Sequence, residues 1–468
     1  MKPKDLRALG IPKGAATKAA IGAVRQLARR GETGQPVRER IVAVIEDPER
    51  FLGDPTWAAL ARALGQPGAA GTRPRRERAE PAPWRQWGRD LEPQAVQQMA
   101  NACRLPVAVR GALMPDAHLG YGLPIGGVLA TDDAVIPYAV GVDIACRMKM
   151  TVLDLPVSVL DADDAPLQKA IEEETRFGIG AAFRSTRREH EVMDRDWSVT
   201  PITARLKDKA WSQLGTSGSG NHFVELGELL VGEHSGLDLE PGRYLALLSH
   251  SGSRGAGAAV AGHYSKLAMA RRPELPRELR HLAWLELDGE PGHEYWQAME
   301  LMGHYAAANH ACIHRHVARH LGAAVLLDVE NHHNFAWKEV HDGREVVVHR
   351  KGATPAGEGV LGIIPGSMAD PAYLVRGKGS SAALDSASHG AGRVMSRKRA
   401  HRELSWEDAR RLLAKRRVRL LSAGLDEVPM VYKDIDAVMA QQRDLVTSLA
   451  RFHPRLVKMA PGGERPED

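Results

Sequence analysis

Beyond Trp84 the chain repeats one local pattern: a short apolar, β-prone run opens into a loop of small or polar residues, with helical stretches in between. Tyr244–Leu248 runs into Ser-His-Ser-Gly-Ser-Arg-Gly, Ala324–Val329 into Glu-Asn-His-His-Asn, and Val346–His349 into Arg-Lys-Gly. Such runs are too short for amphipathic helices and suit buried strands. Because helical stretches interrupt them, the pattern restricts the chain to an α+β architecture of mixed β-sheets packed with helices. Glycine supports this at 46 of 468 residues, where about 7% is ordinary. Loops of this kind let backbone N–H groups approach a bound group.

The residues before Trp84 read differently. Between Gly14 and Arg30, Ile21, Val24, Leu27 and Ala28 fall at helical spacing, with Lys18, Arg25, Arg29 and Arg30 on other faces. A second amphipathic stretch groups Val37, Ile41, Val44 and Ile45, and a third spans Trp57–Leu64. Residues 67–83 are rich in Pro, Gly, Ala and Arg without apolar periodicity, the composition of a linker. The expected organisation is a basic helical extension over 1–66, a linker over 67–83, a catalytic domain over 84–458 and a polar tail over 459–468. Ser405–Leu421 and Asp434–Phe452 are the last long helical patterns. The formal net charge is +5; the first ninety residues carry +8, leaving −3 for the rest, so basicity sits mainly in the N-terminal fifth.

Three cysteines, Cys103, Cys146 and Cys312, are too few and of the wrong parity for a disulfide framework. With no apolar leader and no run of eighteen apolar residues, a cytoplasmic enzyme away from the membrane is expected.

Several loops carry residues able to do chemistry. Gly141–Cys146 places a carboxylate, Asp143, three residues before a thiol, Cys146; both are metal-ligand types, although a lone buried cysteine is ordinary packing. Gly215–Glu225 is a small-residue loop entering a β-prone segment with Asn221, His222 and Glu225. In a regular strand His222 and Glu225 would face opposite sides, so they share a site only if the segment bends or the site wraps it. His250 ends the run Tyr244–Leu248, and Arg254 follows in a glycine turn before a helix, an arrangement suited to phosphate. Of the adjacent His332 and His333, which point different ways, one is expected to be a ligand. Asp143, Cys146, His222, His250 and His333 together could hold two transition-metal ions. Thiolate and imidazole favour Mn, Fe, Co or Zn over Mg, without naming which. His310, His314, His316 and His320 lie on the helical stretch Met302–Leu321 and lack the acid of a metalloprotease, so a packed or solvated face is expected. Gly377-Lys378 is no Walker A loop, since Ala372 and Gly379 stand where Gly and Ser/Thr are needed.

His389 sits among the smallest side chains in Ser-Ala-Ser-His-Gly-Ala-Gly-Arg, ahead of Arg397, Lys398 and Arg399. An accessible neutral imidazole can attack an activated phosphate and leave a phosphoramidate. Taken in order, MPDAHLGYGLPIGG, GVDIAC, GTSGSGNHFVELG, SHSGSRG, HHN, RKGAT, GIIPGSM and SHGAGRVMSR resemble the RtcB family of RNA-splicing ligases, from about Met114 to Lys458. The resemblance implies the RtcB-type fold and a two-manganese site bridged by Cys146, with Asp143, His222, His250 and His333 as further ligands. It implies that GTP guanylylates His389, with Asn221, Glu225, Gly366, Ser367, Met368, Ala391, Gly392, Tyr432 and Lys458 around the guanylate. Arg254 then falls on phosphate, and Arg393 is a second phosphate contact. The implied reaction joins RNA 2′,3′-cyclic phosphate or 3′-phosphate ends to 5′-hydroxyl ends. Guanylylation of 3′-phosphates on RNA or DNA without sealing, or a catalytically silent RNA-binding relative, are the alternatives. The natural substrate, oligomeric state and any activating protein partner are left open. The extension before about Trp84, Met459 after Lys458 and the polar tail depart from the family pattern.

Overall fold

The structure is a computed structural model describing residues 5–6, 9–11, 15–64, 78, 80–162 and 164–463. Most of the expected linker, positions 67–77 and 79, and positions 464–468 of the tail lie outside the described residues. The chain divides into two compact units: Met1–Ala79 with Arg272–Pro276, and Glu80–Arg271 with Arg277–Asp468.

In the smaller unit, helices span Ala15–Arg29, Gln35–Glu46 and Ala58–Leu64. Val37, Ile41, Val44 and Ile45 are buried as their spacing indicated. The first helix is turned relative to expectation: Ala16, Ala20, Ala23 and Leu27 are buried, Ile21 and Val24 flank them, and Ala28 is exposed. Small alanines allow the close approach that bulkier Ile21 and Val24 would prevent at the centre of the contact.

The larger unit is built on two sheets, confirming the α+β expectation. Six strands matter most: β1 (Ala108–His118), β2 (Arg147–Leu153), β3 (Phe223–Val231), β4 (Gly242–Ser251), β5 (Val325–His332) and β6 (Val446–Met459). One sheet runs Trp84–Gln86, β1, Ile125–Thr131, Arg344–Lys351, Asn334–His341. The other runs Leu361–Ile364, Ala372–Gly377, β6, β3, β4, β2, β5, with Arg419–Ser422 beside β6. Met148, Met150, Leu248, Val329, Leu374 and Phe452 share one core along this second sheet.

Two helical expectations are corrected. Within Ser405–Leu421 the helix covers only Trp406–Lys415. Arg417 adopts φ 56°, and Val418 N–H bonds back to the Leu413 carbonyl, a Schellman-type stop that frees Arg419–Ser422 to pair with β6. Within Asp434–Phe452 the helix covers only Ile435–Ala440, and β6 begins at Val446. β6 pairs on both sides, with Ala372–Gly377 and with β3, and this tertiary pairing overrides a local helical period.

The helix Glu290–His320 is tied to β4 and β2 by a buried polar chain. His310 Nε2 donates to the Ser251 carbonyl (3.0 Å), which can only accept. Its neutral Nδ1 is therefore an acceptor facing Ser249 Oγ (2.7 Å), which also lies 2.8 Å from His314 Nε2. Burial holds both imidazoles well below their usual range, consistent with neutral rings. The two histidines thus lie on a packed face, as expected. His310→Ala leaves a buried hydroxyl and a buried carbonyl without these partners; we expect a loss of about 2–5 kcal/mol in unfolding free energy. A urea midpoint unchanged from wild type would contradict this network.

Candidate active site

Antiparallel pairing gathers the candidate ligands. Cys146 immediately precedes β2, His333 immediately follows β5, His222 immediately precedes β3, and His250 is the penultimate residue of β4. In register, Arg147 opposes both Ser251 and His332, and Phe223 opposes His250. Residues nearly two hundred positions apart therefore share one end of four adjacent strands. His222 lies in the turn before the regular strand, so both it and Glu225 line the same cavity, which resolves the facing problem.

Cys146 Sγ lies 3.1 Å from His250 Nε2 and 3.5 Å from His222 Nε2. His250 Nε2 is 3.1 Å from His333 Nε2, and His222 Nε2 is 3.1 Å from Asp143 Oδ2. The ligand atoms of Cys146, His222 and His250 all lie within 4.8 Å of one another and are buried, a cluster able to hold a metal ion. Its chemistry fits. His250 donates Nδ1–H to the Asn221 carbonyl (3.0 Å), leaving Nε2 bare toward the sulfur, the outer bond that usually orients a metal-binding histidine. Asp143 Oδ1 accepts from Ser253 N–H (2.9 Å), and the buried Oδ2 faces His222 Nε2. Arg254, a donor only, approaches His222 Nδ1 at 3.3 Å, so neutral His222 carries its proton on Nε2, which a metal ion would replace. His332 instead packs on Phe335 and Trp337, so only one of the adjacent pair joins the cluster.

His389 follows the short strand Ser386–Ser388, and its ring centroid is 5.0 Å from that of His333. Asp116, buried in β1, meets it with one oxygen: Oδ2 accepts from His389 Nδ1 (2.7 Å), His389 N–H (3.1 Å) and Gly390 N–H (3.3 Å). Burial alone would raise the Asp116 pKa, but His389 and Lys433 pull it below the usual range. An ionised carboxylate only accepts, so Nδ1 holds a proton, and in the neutral tautomer Nε2 is the bare nitrogen. Gly392 is required here: at φ 75° its Cβ would stand 2.1 Å from the Asp116 carbonyl.

A cavity of about 770 Å³ spans the cluster and His389. Asn221, Glu225, Gly366, Ser367, Met368, Ala391, Gly392, Tyr432 and Arg393 line it with Asp143, Cys146, His222, His250 and His333. The buried Glu225 carboxyl has no hydrogen bond among the described residues, and burial pushes its pKa well above the usual range. Glu427, which local patterns did not single out, gathers Arg393, Arg397 and Tyr432; Arg393 Nη1 is 3.4 Å from both its oxygens. The expected phosphate contact Arg393 is thus at the wall with its guanidinium already engaged.

Two expected residues lie elsewhere. Arg254 does not line the cavity: it is buried behind His222, hydrogen-bonded to Thr216 at 3.3 Å. Gly218, at φ 116°, makes room for it, since a Cβ there would be 2.0 Å from Nη1. Lys458 sits between Val457 and Met459, which do line the cavity, so strand alternation turns it away; its Nζ is 3.7 Å from Glu172 Oε1.

The family model described as tRNA-splicing ligase RtcB matches residues 98–459, and the chain belongs to the RtcB family. It is 35% identical to the RNA-splicing ligase RtcB of Escherichia coli K12 over 399 residues, covering 78% of this chain and 95% of that protein. It is 32% identical to the RNA-splicing ligase RtcB of Mycobacterium tuberculosis H37Rv over 431 residues, 76% of this chain and 98% of that one. It is 29% identical to the tRNA-splicing ligase RtcB of Thermococcus kodakarensis over 433 residues, 77% and 89%.

Lys351, also on the cavity wall and not singled out beforehand, donates to the Tyr121 carbonyl (2.6 Å), and burial lowers its pKa to about 7. Its unfolded form keeps its proton up to about pH 10. Between these values the unfolded state binds more protons, so this group makes stability rise with pH. Lys351→Met should therefore gain stability over wild type below pH 7, and the gain should shrink toward pH 10. Urea unfolding of both proteins across that range checks it; a pH-independent difference would refute the buried-cation reading.

Proposed function

We propose that this protein is an RNA ligase joining 2′,3′-cyclic phosphate or 3′-phosphate ends to 5′-hydroxyl ends, with GTP as guanylate donor and His389 as acceptor. The observation that carries the proposal is the His389–Asp116 pair beside the ligand cluster, which leaves a bare Nε2 facing a cavity of nucleotide size.

In the first step Nε2 attacks the α-phosphorus of GTP, a P–N bond forms, and the bond to pyrophosphate breaks. Asp116 keeps Nδ1–H hydrogen-bonded and balances the charge that develops on the ring. Glu225 is suited to the guanine base, whose N1–H and N2–H donors match a carboxylate. Gly366, Ser367, Met368, Ala391, Gly392, Tyr432 and Asn221 complete the proposed guanylate site; Lys458, turned toward Glu172, is left out. Guanylate then passes to an RNA 3′-phosphate, a cyclic end first being opened by water. The 5′-hydroxyl oxygen finally attacks that phosphorus and releases GMP. Two Mn(II) ions, one held by Asp143, Cys146 and His222 and one by Cys146, His250 and His333, would supply Lewis acidity toward the crowded phosphates. Arg254 acts by orienting His222. The buried Cys103, Cys146 and Cys312, none of them in a disulfide, suit a reducing, cytoplasmic setting. No helix among the described residues is long and apolar enough to cross a membrane.

Incubation with GTP labelled at the α-phosphate and with manganese should give covalent label that maps to His389 and is lost in His389→Ala. Asp116→Asn should slow labelling roughly 10²–10⁴-fold, since the wrong tautomer becomes available. Label on a lysine, or none, overturns the mechanism. Adding RNA with and without a 5′-hydroxyl partner separates joining from mere capping of the 3′-phosphate.

A further inference from the structure

A second concavity in the larger unit, about 370 Å³, shares no lining residue with the catalytic cavity. Arg187, Arg188 and Glu189 line it from one loop, and Arg315, His316 and Arg319 from the helix Glu290–His320. Four guanidinium groups thus face one acid in the lining. Arg187 is paired with Asp208 at 2.8 Å and Arg188 with Glu174 at 2.7 Å. Arg315 and Arg319 have no ion pair among the described residues, although both are exposed. Arg315 donates only to the Glu189 carbonyl (2.7 Å) and, weakly, to the Cys312 sulfur.

Ion pairing among the described residues does not explain the helix pair Arg315 and Arg319. Arg315 and Arg319 are four residues apart, so they are neighbours on one helix face and repel each other. The negative end of the helix dipole accounts for tolerance of cations in the last turns. Arg187 and Arg188, engaged with Asp208 and Glu174, add two further guanidinium groups to the same concavity from a separate loop. Burial first, and Arg188 next, hold His316 down to about 4 despite Glu174 at 3.6 Å, and Arg315 and Arg319 add to the lowering. Planar guanidinium forks without carboxylate partners match phosphate oxygens.

We propose that this arginine groove binds the phosphodiester backbone of the RNA substrate away from the ends being joined. The proposal rests on the ligase reading, because it takes RNA to be the polyanion present. A nucleic-acid strand extends beyond its reacting terminus, and each phosphate it places in the groove releases counterions.

The test compares wild type with Arg315→Ala/Arg319→Ala and with Arg315→Lys/Arg319→Lys, as full chains, for binding of a single-stranded RNA twenty nucleotides long across salt concentrations. The alanine pair should bind roughly tenfold more weakly, and its log affinity against log salt should be shallower by about 1.4, the value for two lost phosphate contacts on a single strand. The lysine pair should keep most of the slope. Guanylylation by GTP alone, which needs no RNA, should be the same in all three and reports on the ligase reading separately. If the alanine pair matches wild type in affinity and slope, the groove is not an RNA contact. Displacement of RNA by inorganic tripolyphosphate in wild type but not in the alanine pair would also overturn the proposal, making the groove a small-polyanion site.

Discussion

The candidate site depends on antiparallel register. β2 is flanked by β4 and β5, and β4 is flanked on its other side by β3. Each neighbour runs opposite to the next, so the start of one strand lies beside the end of another. Cys146 and His222 stand at starts, and His250 and His333 at ends. A slip of one residue between β2 and β4 would turn His250 to the other face and leave the sulfur without its partner at 3.1 Å. The register is held where it matters most by a backbone bond from His333 N–H to the Cys146 carbonyl (3.0 Å) and by the buried chain from His310 through Ser249 to His314.

The other sheet supplies the second half of the chemistry. Asp116 comes from β1 and fixes the side chain and backbone of His389 together through one carboxylate oxygen. Gln442, just past the helix Ile435–Ala440, accepts from the Ser388 N–H (2.9 Å) and steadies the residue before it. The proposed nucleophile is thereby held by groups behind it, an arrangement that would lower reorganisation as charge develops.

Much of this site was legible in the sequence because its residues sit where apolar runs meet loops. Cys146, His222, His250 and His333 each occupy such a junction, and Asp143 lies in the glycine-led loop before β2. Facing was not legible. Lys458 has the right neighbours in sequence, yet alternation along β6 turns it to Glu172, and Arg254 lies behind His222 rather than in the cavity. Asp116 and Lys351 fall inside the motifs MPDAHLGYGLPIGG and RKGAT without a role of their own, because an acid or a lysine inside a β-prone run shows its role only when its cross-sheet partner is known. The β6 segment misled for the same reason: its helical period is real but weaker than pairing on two sides.

In the proposed mechanism one sulfur, Cys146 Sγ, would be shared by two metal ions, with Asp143 and His222 on one side and His250 and His333 on the other. Anomalous diffraction from crystals grown with manganese tests this directly. Two peaks flanking Sγ, roughly 3.5–4 Å apart, are expected. A single peak, or peaks with no contact to that sulfur, would contradict it.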